Sequence, residues 1–130
     1  MNSMKDEFFF DTNIIAYAFY QNEYQENCQN ILRGEGITDT IALAEAFNII
    51  EFESSRNMAM IAMRSVLRSN INIVDVDVNT IFEALKKADT YKKLKFIDLL
   101  HYTVASLKNC ESIMSYDKDF DNLEIVRAWE

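Results

Sequence analysis

Phe8-Phe9-Phe10-Asp11-Thr12-Asn13 is the stretch that decides how this chain is read. Three apolar residues make a short buried strand, and the strand stops on a carboxylate. Apolar residues at helical spacing follow over 14–20, so the acid stands where a strand hands over to a helix. Outward from there the alternation continues. Tyr24, Cys28, Ile31 and Leu32 place a second helix over 22–33, and Gly34 and Gly36 end it. Ile37-Thr38 is a short strand. Asp39 offers an N-cap to a helix carrying Ile41, Leu43, Ala44, Phe47, Ile50 and Phe52. Ser54-Ser55 breaks it before another helix over 57–67. A β-branched strand over 71–76 precedes amphipathic helices over 79–91 and 96–107, and short strands at 113–114 and 125–126 close the chain. Short apolar strands alternating with helices imply an α/β fold around a mainly parallel sheet. Ligands of such sheets bind beyond the carboxyl ends of the strands.

The 130 residues suit one domain over 1–130, with residues 1–6 a frayed polar end. A 49% share of hydrophobic residues is enough to build a core. Two Gly and no Pro exclude a P-loop or a dinucleotide fingerprint, both of which need several glycines. A sandwich of many tight turns is equally disfavoured. The single histidine, His101, excludes multi-histidine metal sites. Cys28 and Cys110 read as reduced core residues. No basic segment with an apolar core opens the chain, and no run is long enough to span a membrane. A cytoplasmic protein is expected. The net charge of -8 argues against generic binding to nucleic acid or anionic membranes, unless the acids are gathered and carry metal.

Their placement suggests such a gathering. Asp11 follows the first strand directly, and Asp117 follows the strand at 113–114 across Ser115-Tyr116. Glu45 interrupts an apolar segment early in the helix after the second strand. Asp98 lies between Ile97 and Leu99-Leu100 in the first turn of its helix. Half-buried carboxylates are costly unless paired or metal-bound. Singly, each acid has an ordinary explanation: Asp11 as an N-cap, Asp98 as a helix-dipole partner, Glu45 as a surface acid. Together at one end of a sheet they are a hard-oxygen set suited to Mg²⁺ or Mn²⁺. The matching chemistry is phosphodiester hydrolysis by metal-activated water.

These residues resemble the PIN-domain family. Phe8-Phe9-Phe10-Asp11-Thr12-Asn13 is similar to the apolar strand and D-T-N with which that family opens. Glu45 in Ile41-Ala42-Leu43-Ala44-Glu45 resembles its second, helical acid, and Asp98-Leu99-Leu100 with Ala105 its third acidic motif. Ser115-Tyr116-Asp117-Lys118-Asp119-Phe120 resembles its closing S/T-x-D-x-D-F signature. Order and spacing agree over 8–126. The resemblance implies a three-layer α/β/α sandwich with a central parallel sheet. It implies a Mg²⁺- or Mn²⁺-dependent endoribonuclease of the VapC toxin type, often held inactive by a small antitoxin. It makes Asp11, Glu45, Asp98 and Asp117 the catalytic, metal-holding quartet and Asp119 a further ligand. Thr12, Asn13 and Ser115 would brace the acids through hydrogen bonds. The chain departs from the family at His101 and Tyr102, where the helix turn is usually rich in small residues. His101 shares a helix face with Asp98 and is either a substrate contact or a packed histidine.

Asp75-Val76-Asp77-Val78-Asn79-Thr80 mimics a calcium loop but lacks its Gly, and Lys86 replaces its closing Glu. A strand end with a helix cap explains it better. Lys92, Lys93 and Lys95 crowd the approach to the Asp98 helix, and Arg64 and Arg68 align at i, i+4. All five are candidate contacts for RNA phosphates. Met58, Met60 and Met63 either pack a core or form an adaptable groove for a partner or second subunit, with Tyr17, Tyr20 and Tyr24 near such a surface. Two functions stand side by side. One is an RNA-cleaving enzyme, expected as a homodimer and as the toxin of a toxin–antitoxin pair. The other is a catalytically silent PIN-like module that binds RNA or protein. A receiver-like switch fits poorly, because no adjacent acidic pair lies at the first strand end.

Overall fold

A computed structural model describes residues 8–128. The expected frayed end at 1–6 lies outside the described residues. Strands β1 (Phe8–Phe10), β2 (Ile37–Asp39), β3 (Asn72–Val74), β4 (Ser112–Met114) and β5 (Val126–Ala128) form one sheet in the order β3-β2-β1-β4-β5. Every pairing is parallel. Helices α1 (Thr12–Tyr17) and α2 (Gln25–Leu32) connect β1 to β2, and α3 (Thr40–Glu53) and α4 (Arg56–Arg68) connect β2 to β3. Helices α5 (Val78–Lys87) and α6 (Phe96–Leu107) return the chain to β4. Right-handed crossovers dictate the layering. The chain steps from β1 outward to β3 with its helices on one face. It then crosses back to β4 with α5 and α6 on the other. The direction reverses beside β1, which opens a crevice at the carboxyl ends of β1 and β4.

Two cores result, one on each face. Phe10, Ile14, Ile15, Ala46, Ala59 and Met114 belong to the α1–α4 side, and Phe9, Ile37, Leu99, Leu100, Ile113 and Phe120 to the α5–α6 side. Strand alternation explains the split, since successive side chains leave opposite faces. Each buried Phe contributes about 1.5–3 kcal/mol relative to an exposed one. Cys28 and Cys110 fall in different layers and are not joined to each other. Gly36 has a steric role: a Cβ there would come within 2.5 Å of the Phe10 ring, so the chain enters β2 past that ring only without a side chain.

Side-chain caps set several helix starts. Asp39 Oδ1 accepts from the Ala42 N–H at 2.8 Å, Ser55 Oγ from Met58 at 3.0 Å and Asp77 Oδ1 from Thr80 at 2.9 Å. Asp77 is therefore the cap of α5. Helix α2 begins later than its pattern predicts, because Asn22 holds the preceding residues in a turn. Its Nδ2 donates to the carbonyls of Tyr17 at 2.9 Å and Tyr20 at 2.7 Å, and its Oδ1 accepts from the Tyr24 N–H at 2.8 Å.

Candidate active site

Asp11 occupies the N-cap position of α1, yet its side chain makes no capping bond. Its Oδ2 instead accepts from Ser115 Oγ at 2.7 Å and Asn13 Nδ2 at 3.3 Å. Ser115 follows β4, so this bond ties the ends of two adjacent strands. Ser115 Oγ also accepts from the Asp117 N–H at 2.9 Å, and Asn13 Oδ1 from the Tyr116 N–H at 3.2 Å. Asp117 Oδ1 accepts from the Asp119 N–H at 2.9 Å and so starts the 3-10 turn Lys118–Phe120. Phe120 anchors that turn in the α5–α6 core.

Glu45 reaches the site from α3. Its Oε1 accepts from Thr12 Oγ1 at 2.6 Å and lies 2.9 Å from His101 Nε2. His101 Nδ1 lies 2.7 Å from Asp39 Oδ2. Asp39 therefore starts α3 with one oxygen and fixes α6 with the other. His101 has 0% exposure and a carboxylate on each ring nitrogen. Burial opposes its charge, but the hydrogen bonds to Asp39 and Glu45 outweigh that, and its pKa is pushed up to about 10. The ring is an internal imidazolium. The sequence leaves His101 as either a substrate contact or a packed histidine, and with no open surface it is packed. It positions Glu45. Asp39 is the site residue that sequence reasoning missed beyond its capping role. A signal existed: Asp39 ends β2 much as Asp11 follows β1.

Burial raises the Asp11 pKa, with His101 and Ser115 opposing. Burial also raises Asp98, to about 6, with the charges of Asp11 and Asp117 next in importance and Glu45 adding to them. For Glu45 burial acts upward, but the hydrogen bonds from His101 and Thr12 win and its pKa falls. Asp98, Asp117 and Asp119 can each bring one oxygen within 4.8 Å of the others. An all-oxygen set of half-buried and exposed acids, crowded against its own repulsion, fits a hard divalent cation completed by water. The donors therefore suit Mg²⁺ or Mn²⁺.

Lys92 and Lys93 line a cleft of about 420 Å³ together with Tyr91, Asp119, Asp121 and Leu123. Lys95 is the N-cap residue of α6, the helix that carries Asp98. Arg64 and Arg68 are not gathered here. They are exposed on α4, whose last turn runs into the amino end of β3, away from the carboxyl ends that bear the acids. Among the described residues no helix is long and apolar enough to cross a membrane.

The fold has a clear counterpart. The Mycobacterium tuberculosis VapC20 toxin, which cleaves the sarcin-ricin loop, superposes with a TM-score of 0.83 at 15% sequence identity, over 95% of this chain and 100% of that one. No curated protein sequence matches the chain. The model of the PIN domain matches residues 8–126, almost the whole of it. With the five-stranded parallel sheet and the acids at its carboxyl edge, the chain belongs to the PIN-domain family.

Proposed function

We propose that this protein is a metal-dependent endoribonuclease that hydrolyses RNA phosphodiester bonds at Asp11, Glu45, Asp98 and Asp117. The observation that carries the reading is the convergence of Asp98, Asp117 and Asp119 oxygens within 4.8 Å, at the carboxyl edge of the sheet. Asp11, Asp98, Asp117 and Asp119 would hold the cation. A bound Mg²⁺ or Mn²⁺ supplies Lewis acidity to the phosphate and activates the attacking water. Thr12 and His101 keep Glu45 ionised and fix its Oε1, so Oε2 is left to meet the cation or a water beside it. Ser115 and Asn13 hold the Asp11 carboxylate in one orientation. Lys92, Lys93 and Lys95 would meet RNA phosphates beside the acids, which answers the net charge of -8 locally.

The likeness to VapC20 supports a toxin ribonuclease. Partners have surfaces to use. Val78, Ile81, Phe82 and Leu85 form an exposed apolar stripe on α5, with Val78 83% exposed, and this stripe suits a second copy in a homodimer. Phe52, Met60 and Ile61 are exposed on the α3–α4 pair and suit an apolar segment of an antitoxin. A cytoplasmic setting agrees with two cysteines kept in separate cores. The decisive experiment is cleavage of single-stranded RNA in Mn²⁺. Asp11→Asn and Asp98→Asn should each abolish it, and EDTA-resistant cleavage by those variants would refute the reading. A folded protein that binds RNA but gives no heat with millimolar Mn²⁺ would point to the silent module.

A further inference from the structure

Beside the acids lies a cluster of tyrosine rings that the hydrolytic chemistry does not use. Tyr116 sits between Ser115 and Asp117, and its N–H is held by Asn13, the same residue that bonds Asp11. Its ring stacks on Tyr24 with centroids 4.3 Å apart at 29°. Tyr24 in turn stacks on Tyr17 at 5.5 Å and 18°, and Tyr17 meets Tyr116 at 5.9 Å. Burial and then Tyr24 raise the pKa of the Tyr17 hydroxyl, with Cys28, Asp11 and Asp117 adding to them.

The cluster is built rather than draped. Asn22 pins the turn between Tyr17 and Tyr24 with three hydrogen bonds. Gln29 Nε2 donates to the Ala18 carbonyl at 3.0 Å, and Asn27 Nδ2 donates to Tyr116 Oη at 2.8 Å, fixing that ring. Tyr17, Tyr20 and Tyr116 also pack on the α1–α4 core. Tyr24 is the open member, 37% exposed.

We propose that Tyr24, backed by Tyr116 and Tyr17, is a stacking shelf for a nucleobase of single-stranded RNA whose neighbouring phosphate lies at the acids. The proposal rests on the nuclease reading above. The lysine cleft borders Asp119, whereas Tyr116 stands between Ser115 and Asp117 with its N–H held by Asn13, so a strand laid over the acids would reach both. Lysines hold phosphates wherever the strand lies. A ring face adds a fixed register for one base and tolerates any sequence, because every base has a π-face.

The test is equilibrium binding of fluorescein-labelled single-stranded RNA of about 12 nucleotides, a length that spans a typical single-strand site. An Asp98→Asn background prevents cleavage, and a single abasic nucleotide is walked along the strand. With Tyr24 present, one abasic position should weaken binding about tenfold, the worth of one base stacked on an aromatic ring. Tyr24→Leu should show the same loss on intact RNA and no further loss at that abasic position. Tyr24→Phe and Tyr24→Trp should restore the parent affinity and its sensitivity to the missing base. Abasic substitutions that never matter to the parent protein would overturn the shelf, and that arm needs no change at Tyr24. Equal binding by Tyr24→Leu, or losses that simply add, would also overturn it. The two ideas fail separately. RNA bound but left uncut by the wild-type protein in Mn²⁺ refutes the nuclease, RNA cut without base coupling refutes the shelf alone, and no binding of RNA refutes both.

Discussion

Replacing His101 by Gln removes a buried cation and leaves Asp39 and Glu45 facing each other across a neutral side chain. The structure sets the size of the effect. The His101 pKa rises from 6.5 to about 10, which corresponds to about 5 kcal/mol of preference for the charged ring in the folded state. Removing one partner of a buried ion pair costs about 3–5 kcal/mol, and the same range is expected here at pH 6. The loss is a large part of the 5–15 kcal/mol that holds a typical domain together. The pH dependence has a definite sign. The folded pKa lies above the unfolded one, so the stabilisation is complete below about 6.5 and is lost as pH rises toward 10. Urea unfolding of both proteins, metal-free and followed by circular dichroism from pH 6 to pH 10, measures the gap directly. The two stability curves should converge as pH rises. A gap that stays constant across this range, or one below about 1 kcal/mol at pH 6, would refute the imidazolium bridge.

Asp98→Asn should stabilise the metal-free protein at pH 7.5 by roughly 1–3 kcal/mol, because an acid whose folded pKa is raised to about 6 costs stability once ionised. The gain should fade as pH falls toward 3.8, and a less stable variant at pH 7.5 would contradict the crowding of charge around Asp98. Mn²⁺ should raise the melting temperature of the wild-type protein, by the equivalent of about 2.7 kcal/mol at a hundredfold excess over Kd. Asp117→Asn should blunt that response, and an undiminished shift would place the cation elsewhere. Phe82→Glu puts a charge into the exposed stripe of α5 and should convert a dimer to monomer in sedimentation velocity. A dimer that survives this change uses another face.

The sequence is most legible where local chemistry alone determines structure. The limits of β1 and α6 follow directly from their apolar patterns. The strand expected over 71–76 contracts to Asn72–Val74 because β3 is an edge strand, paired only with the short β2. The helix expected over 79–91 starts at Val78, where Asp77 caps it, and ends at Lys87, where the chain turns to reach α6. The nearness of Asp98, Asp117 and Asp119 is legible in part, since a parallel sheet brings its strand ends together. The bridge from Asp39 to His101 is not, because it joins residues 62 positions apart and no local period reports it. Arg64 and Arg68 mark a different limit. Spacing along α4 tells which residues share a face, but not which end of the sheet that face serves.

The central strand has a consequence for how the molecule opens. Three residues of β1 reach both cores, Phe9 into one and Phe8 and Phe10 into the other. A slip of one residue would exchange those faces, empty both layers at once and carry Asp11 to the wrong side of the sheet. The strand has no slack to spend on small excursions. The Asp11 amide, bonded to the Met114 carbonyl at 3.0 Å, should therefore exchange its hydrogen only when the whole molecule unfolds. The carboxylate at position 11 stays put because moving it means dismantling the protein.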